Sequence, residues 1–150
     1  MTGPTPTPQG LESVVERFDH VSMAVADLAS AAPLLTLLGA DYFDGGLSPH
    51  GDFEWVQYAL PGWGTLELIA PVGNDPDHFI NRFIRERGEG LHHLTFKVFD
   101  ITNAVRRASE LGFTVTGFDD SIADWKEAFV HPKSASGVLI QLAEFPEKDG

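Results

Sequence analysis

Sliding the sequence along itself by 73 residues brings chemically matched positions together: His20 falls on His93, Asp27 on Asp100, Leu38-Gly39 on Leu111-Gly112 and Glu54 on Glu127. A shift of 74 then places Glu67 on Gln141. Internal repetition constrains a fold more tightly than any single motif, because each copy must be a supersecondary unit of one kind. Each half reads as a strand, a helix and three further strands. The expected fold is therefore α+β, made of two tandem βαβββ units.

Hydrophobic alternation locates the elements. Arg17 to Val25 predicts a first strand with Val21, Met23 and Val25 on an apolar row and His20, Ser22 and Ala24 on the other. Asp27 caps a helix over Leu28 to Leu38, which Pro33 should kink and Gly39 should end. A loop holding Gly45, Gly46, Pro49 and Gly51 precedes strands at Phe53–Leu60 and Thr65–Ala70, the latter turning Leu66 and Leu68 to the core and Thr65 and Glu67 away. Phe79, Ile80, Phe83 and Ile84 recur at helical spacing, and Gly88 stops that helix. The second copy opens with a strand that puts His92, Leu94, Phe96 and Val98 on one side and His93, Thr95 and Lys97 on the other. A helix over Ile101–Leu111 follows, its buried stripe being Ile101, Ala104, Val105 and Ala108. Short strands at Thr114–Thr116, Glu127–Val130 and Gly137–Leu142 complete the copy. The expected organisation is a mobile arm over 1–16, a domain over 17–146 with units at about 17–71 and 90–145 joined by a helix at 77–87, and a tail at 147–150.

The two adjacent histidines have different parts in this pattern. His92 sits in an apolar row and reads as a core residue, whereas His93 opens a polar row that needs water or a ligand to face. In each half the first and last strands offer one metal-competent side chain on the non-core face: His20 and Glu67, then His93 and Gln141. Two imidazoles, one carboxylate and one amide oxygen form a mixed nitrogen and oxygen set suited to one divalent ion with open positions, cobalt, nickel, zinc, manganese or iron. A calcium site would use oxygen alone, and a structural zinc would close its fourth position.

Charge and composition exclude several classes. A net charge of −12 leaves no concentrated basic surface for nucleic acid. The chain has no cysteine, which removes disulfides, thiolate metal sites and a cysteine nucleophile. No apolar run approaches the roughly 18 residues of a membrane span, and the N-terminus lacks a charged start followed by an apolar segment, so a cytoplasmic protein is expected.

Asp19-His20-Val21, Leu68-Ile69-Ala70-Pro71, Arg87 to His93, His131-Pro132-Lys133-Ser134 and Gly137 to Ile140 together resemble the vicinal oxygen chelate superfamily, over about Phe18 to Phe145. That superfamily includes glyoxalase I, extradiol dioxygenases, fosfomycin-resistance enzymes and methylmalonyl-CoA epimerase, and the epimerase branch is the most similar. The resemblance implies a half-open β-barrel that cups a metal, a homodimer, and a small carbonyl or thioester substrate. It also implies His20, Glu67, His93 and Gln141 as ligands. The epimerase pattern has Gln at the position of Glu67 and Glu at that of Gln141, so carboxylate and amide are exchanged between the halves. Glu54 matches the position of an epimerase base, and on a row with Val56 and Tyr58 it is expected to face the cavity, assisted by Glu67. Lys133 is a candidate for an anionic group of the substrate. The implied activity is metal-dependent abstraction of a proton beside a carbonyl, by an epimerase or isomerase, with an acyl-CoA such as methylmalonyl-CoA as the candidate substrate. The alternatives are a glyoxalase-like lyase and a non-enzymatic binder of small molecules.

Overall fold

The computed structural model describes residues 14–147. They form eight strands and three α-helices in two compact units, one made of Asp19–His93 and the other of Leu94 onward together with the strand residues up to Phe18. The α+β class and the two βαβββ copies are as expected. The expected arm and tail lie largely outside the described residues. However, Val14 is only 2% exposed, so the folded chain begins inside the stretch assigned to the arm.

The first copy comprises β1 (Val15–Ala24), α1 (Ala32–Leu38), β2 (Asp41–Leu47), β3 (Phe53–Ala59) and β4 (Thr65–Pro71), with strand order β2-β3-β4-β1. β1 and β4 run parallel, with Ser22 beside Glu67, and the other neighbours are antiparallel. The predicted helix at Leu28–Leu38 is split into a 3-10 turn at Leu28–Ala31 and α1, with Pro33 in the first turn of α1, where its missing N–H costs nothing. β2 was expected to be loop, because Gly45 and Gly46 carry no alternating pattern. Glycine is used there for close approach: a Cβ on Gly45 would lie 3.1 Å from the Trp55 carbonyl oxygen.

α2 (Phe79–Arg87) follows, started by His78, whose Nδ1 accepts from the Ile80 N–H while its Nε2 donates to Asp52. The second copy comprises β5 (Gly90–Val98), α3 (Ile101–Glu110), β6 (Val115–Asp119), β7 (Lys126–Val130) and β8 (Ile140–Glu144), ordered β5-β8-β7-β6. Here too the first and last strands are parallel, with Thr95 beside Gln141.

Each sheet has one face covered by the helix of its own copy. In the first, Val25, Leu68 and Ala70 pack with Met23, Leu35 and Tyr58. In the second, Ile101 and Ala104 of α3 pack on Val98, Ala128, Val130 and Leu142, as the predicted stripe requires. α2 covers part of the opposite face of the first sheet: Ile80, Phe83 and Ile84 pack on Ala24, Ile69, Phe53 and Trp55. That face is the one that carries His20, Ser22 and Glu67. Among the described residues no helix is long and apolar enough to cross a membrane.

Gly39 ends α1 with φ of 65°, and a Cβ there would sit 3.1 Å from Pro61 Cγ. Gly39→Ala is expected to cost about 1–2 kcal/mol, read as a lower urea midpoint at unchanged slope, whereas Leu37→Ala on the exposed side of the same helix should change stability by less than about 0.5 kcal/mol.

Candidate metal centre

Alternation on parallel neighbours places the site. His20 and Ser22 point from one face of β1, and Ser22 lies beside Glu67 of β4, so their side chains share that face. Gln57 of β3 lies directly opposite Glu67 and joins it. His20, Ser22, Glu67 and His93 are all buried. The donor atoms of His20, Glu67 and His93 lie within 4.8 Å of one another. Glu67 Oε1 is 3.3 Å from Nε2 of His20 and 3.9 Å from Nε2 of His93.

These residues fit a divalent ion. Ligands at about 2.0–2.2 Å from one centre stand roughly 3 to 3.5 Å apart, a spacing His20 and Glu67 already show at 3.3 Å and His93 approaches at 3.9 Å from Glu67. Nε2 of His20 is buried and faces Glu67 Oε1 at 3.3 Å without good hydrogen-bond geometry, a weakly satisfied state for a buried polar atom that a further group would relieve. The outer supports fit as well. Nδ1 of His20 is 2.7 Å from Asp19 Oδ2, which leaves Nε2 as the inward nitrogen. Glu67 accepts from the Ser22 hydroxyl at Oε1 and from Gln57 Nε2 at Oε2, the latter at 2.9 Å.

Gln141 belongs to the other unit, where the same hydrogen-bond pattern recurs. Thr95 Oγ1 donates to Gln141 Oε1 at 2.6 Å, as Ser22 does to Glu67, and Gln141 Nε2 donates to Glu127 Oε1 at 3.0 Å. Trp125 Nε1 donates to the same Glu127 oxygen at 2.7 Å. Each unit therefore holds one amide and one carboxylate side by side, with the carboxylate on β4 in the first and on β7 in the second. Lys97, the remaining polar residue of the β5 row, is taken up by Glu147 at 2.7 Å and Glu16 at 3.4 Å.

Glu54 does not join this face. It stands opposite Ala70, whereas Glu67 stands opposite Gln57, so Glu54 lies on the helix-covered side of the sheet and is exposed there. The reason is a one-residue slip in the repeat. Glu127 pairs with Ala143, two residues after Gln141, and its true counterpart is Trp55, which pairs with Ile69, two residues after Glu67. A slip of one along a strand moves a side chain to the other face. Lys133 is exposed in the short turn Pro132–Ser134 before β8. The sequence pattern gives no site role to Asp19, Gln57, His92 or Glu127. For Asp19 a signal was present, an acid immediately before a candidate ligand; for Gln57 and Glu127 it lay in the strand register, which composition does not reveal.

Burial acts against a charge on His20, but the hydrogen bond to Asp19 and the facing Glu67 carboxylate outweigh it and raise its pKa from 6.5 to about 9. Burial likewise opposes charge on Glu67, yet His20, Ser22 and His93 keep its carboxyl below the usual range. His92 goes the other way: burial lowers it from 6.5 to about 4, the Glu67 charge only partly opposing this, so the ring is neutral at pH 7.

The chain belongs to the glyoxalase/bleomycin resistance protein/dioxygenase superfamily, which its sequence matches over residues 19–129. It is 32% identical over 136 residues to an ethylmalonyl-CoA/methylmalonyl-CoA epimerase of Cereibacter sphaeroides, covering 87% of this chain and 99% of that one. The crystal structure of methylmalonyl-CoA epimerase from Mycobacterium tuberculosis superposes with a TM-score of 0.77 at 31% identity, over 91% of this chain and 92% of that one. A Streptomyces coelicolor methylmalonyl-CoA epimerase variant in complex with 2-nitronate-propionyl-CoA shares the fold with a TM-score of 0.73 at 22% identity, over 89% of this chain and 99% of that one.

A histidine whose folded pKa lies above its unfolded value stabilises the fold fully below pH 6.5 and loses that contribution as pH rises through about 9. In metal-free buffer the protein is therefore expected to lose up to about 3 kcal/mol across that window, and His20→Gln to flatten the profile. Urea titrations at stepped pH check this; a level wild-type profile would contradict it.

Proposed function

We propose that this chain, which belongs to the glyoxalase/bleomycin resistance protein/dioxygenase superfamily, is an epimerase that inverts the carbon beside the thioester carbonyl of a branched acyl-CoA such as methylmalonyl-CoA. One observation carries the reading: a buried cluster of two histidines and a carboxylate, in a chain that aligns over 99% of the length of an ethylmalonyl-CoA/methylmalonyl-CoA epimerase. His20 and His93 would give the nitrogen donors, His20 surrendering the proton that Asp19 and Glu67 otherwise hold on its ring, and Glu67 the charged oxygen. Gln141 is the proposed fourth donor, its amide oxygen oriented by Thr95 as Glu67 is by Ser22. A divalent ion held by these side chains would supply Lewis acidity to the substrate's carbonyl oxygen and so make the neighbouring proton more acidic.

The base is then a carboxylate of this chain. Gln141 cannot take up a proton, Glu54 is turned to the other side of its sheet, and Glu67 is engaged with the histidines. We assign the role to Glu127, on the same face of its sheet as Gln141 and oriented by Trp125 and Gln141. The C–H bond breaks with its electron pair delocalised toward the carbonyl, the proton passes to Glu127, and a proton delivered from water to the opposite side of the planar carbon inverts the centre, Glu127 then releasing its own proton to the resulting hydroxide. Lys133 is assigned to a phosphate of the CoA moiety. A homodimer and a cytoplasmic setting belong to the same proposal and rest on the family resemblance.

The test is methylmalonyl-CoA incubated with cobalt-loaded protein in heavy water. Deuterium should appear at the α carbon, Glu127→Gln should slow its entry by about 100-fold or more, and Glu54→Gln should leave it within about twofold. No exchange with the wild type would overturn the epimerase reading; loss in Glu54→Gln with Glu127→Gln unimpaired would overturn the assignment of the base.

A further inference from the structure

We propose that His92 is a positioning residue of the metal centre, which holds His93 in the one tautomer able to bind an ion. The inference rests on the metal-binding reading above. Nδ1 of His92 and Nδ1 of His93 are 2.8 Å apart, so one of these nitrogens carries the shared hydrogen and the other accepts it. Nε2 of His93 is the nitrogen directed toward Glu67. An imidazole that offers its Nε2 lone pair to a cation carries its hydrogen on Nδ1. His93 Nδ1 therefore donates, His92 Nδ1 accepts, and His92 bears its own hydrogen on Nε2.

The surroundings hold His92 to that task. Adjacent residues of a strand ordinarily send their side chains to opposite faces. Here the His92 ring is clasped by α2, with its centroid 4.9 Å from that of Phe83 in an edge arrangement and 5.6 Å from that of Phe79. Its ring also meets that of His93 edge-on, at 5.1 Å. A residue that only filled the core could be apolar; this one carries an acceptor and directs it at a ligand.

The arrangement repeats one already seen at His20. Each histidine is backed through Nδ1 by the residue immediately before it in the chain, Asp19 for His20 and His92 for His93. The repeat thus extends outward from the ligands, with one difference in chemistry. A carboxylate makes its histidine a stronger donor and adds negative charge, whereas an imidazole fixes the tautomer and adds none.

Two measurements test the role. Long-range nitrogen–proton NMR of the metal-free wild type at pH 8 should find the His93 hydrogen on Nδ1 and that of His92 on Nε2. Cobalt titration should then give binding about 10–100-fold weaker in His92→Phe, which keeps the aromatic contacts and lacks the acceptor, with an altered cobalt absorption band. His92→Asn, which restores an acceptor oxygen, should recover most of the affinity. A wild-type spectrum with His93 protonated on Nε2 would overturn the proposal whether or not the variants fold. Cobalt affinity of His92→Phe within about twofold of wild type would overturn the positioning role alone, and failure of the wild type to take up cobalt would overturn the metal reading on which it stands.

Discussion

The buried carboxylate of Glu67 is the interaction on which the site depends. An ionised carboxylate removed from water costs several kcal/mol unless opposite charge and hydrogen bonds replace its hydration. In this fold the replacement comes from three strands: the Ser22 hydroxyl, the Gln57 amide, and the imidazoles of His20 and His93. Each of these is itself placed by register. β1 parallel to β4 puts Ser22 beside Glu67, and β3 antiparallel to β4 puts Gln57 opposite it. Shifting any one strand by a residue would leave the carboxylate buried with its partners on the far side of the sheet.

The two copies solve the same packing problem with inverted chemistry. A hydroxyl on the first strand contacts the polar residue of the last strand, and that residue contacts another on the strand beside it. In the first copy the order is Ser22, Glu67, Gln57; in the second it is Thr95, Gln141, Glu127. One acid per copy is retained, so the exchange of carboxylate for amide at Gln141 does not remove the acid from its unit. It relocates the acid by one strand, where it is a candidate to hold a proton rather than an ion.

Much of this was legible in the sequence. The repeat located both copies, alternation put His20, Glu67, His93 and Gln141 on non-core faces, and the helical stripe of α3 was read correctly. Three things were not. β2 was invisible because Gly45 serves a close approach to the Trp55 backbone and, with Gly46, leaves no alternation to detect. Glu54 was paired with Glu127 because a single sequence shift was carried through a hairpin whose copies differ in length, and strand faces do not survive a slip of one. His92 read as a core residue because its row is apolar, and only the ring geometry beside Phe79 and Phe83 reveals that it directs a nitrogen at His93.

Repetition, register and burial bring His20, Glu67 and His93 together as a group that could hold the proposed cation. Equilibrium dialysis against cobalt followed by elemental analysis measures it directly. The wild type should retain about one ion per chain, and His93→Ala, checked for folding by circular dichroism, should retain almost none. A wild-type protein that retains no divalent ion after such reconstitution would contradict the assignment of these three residues as a metal centre.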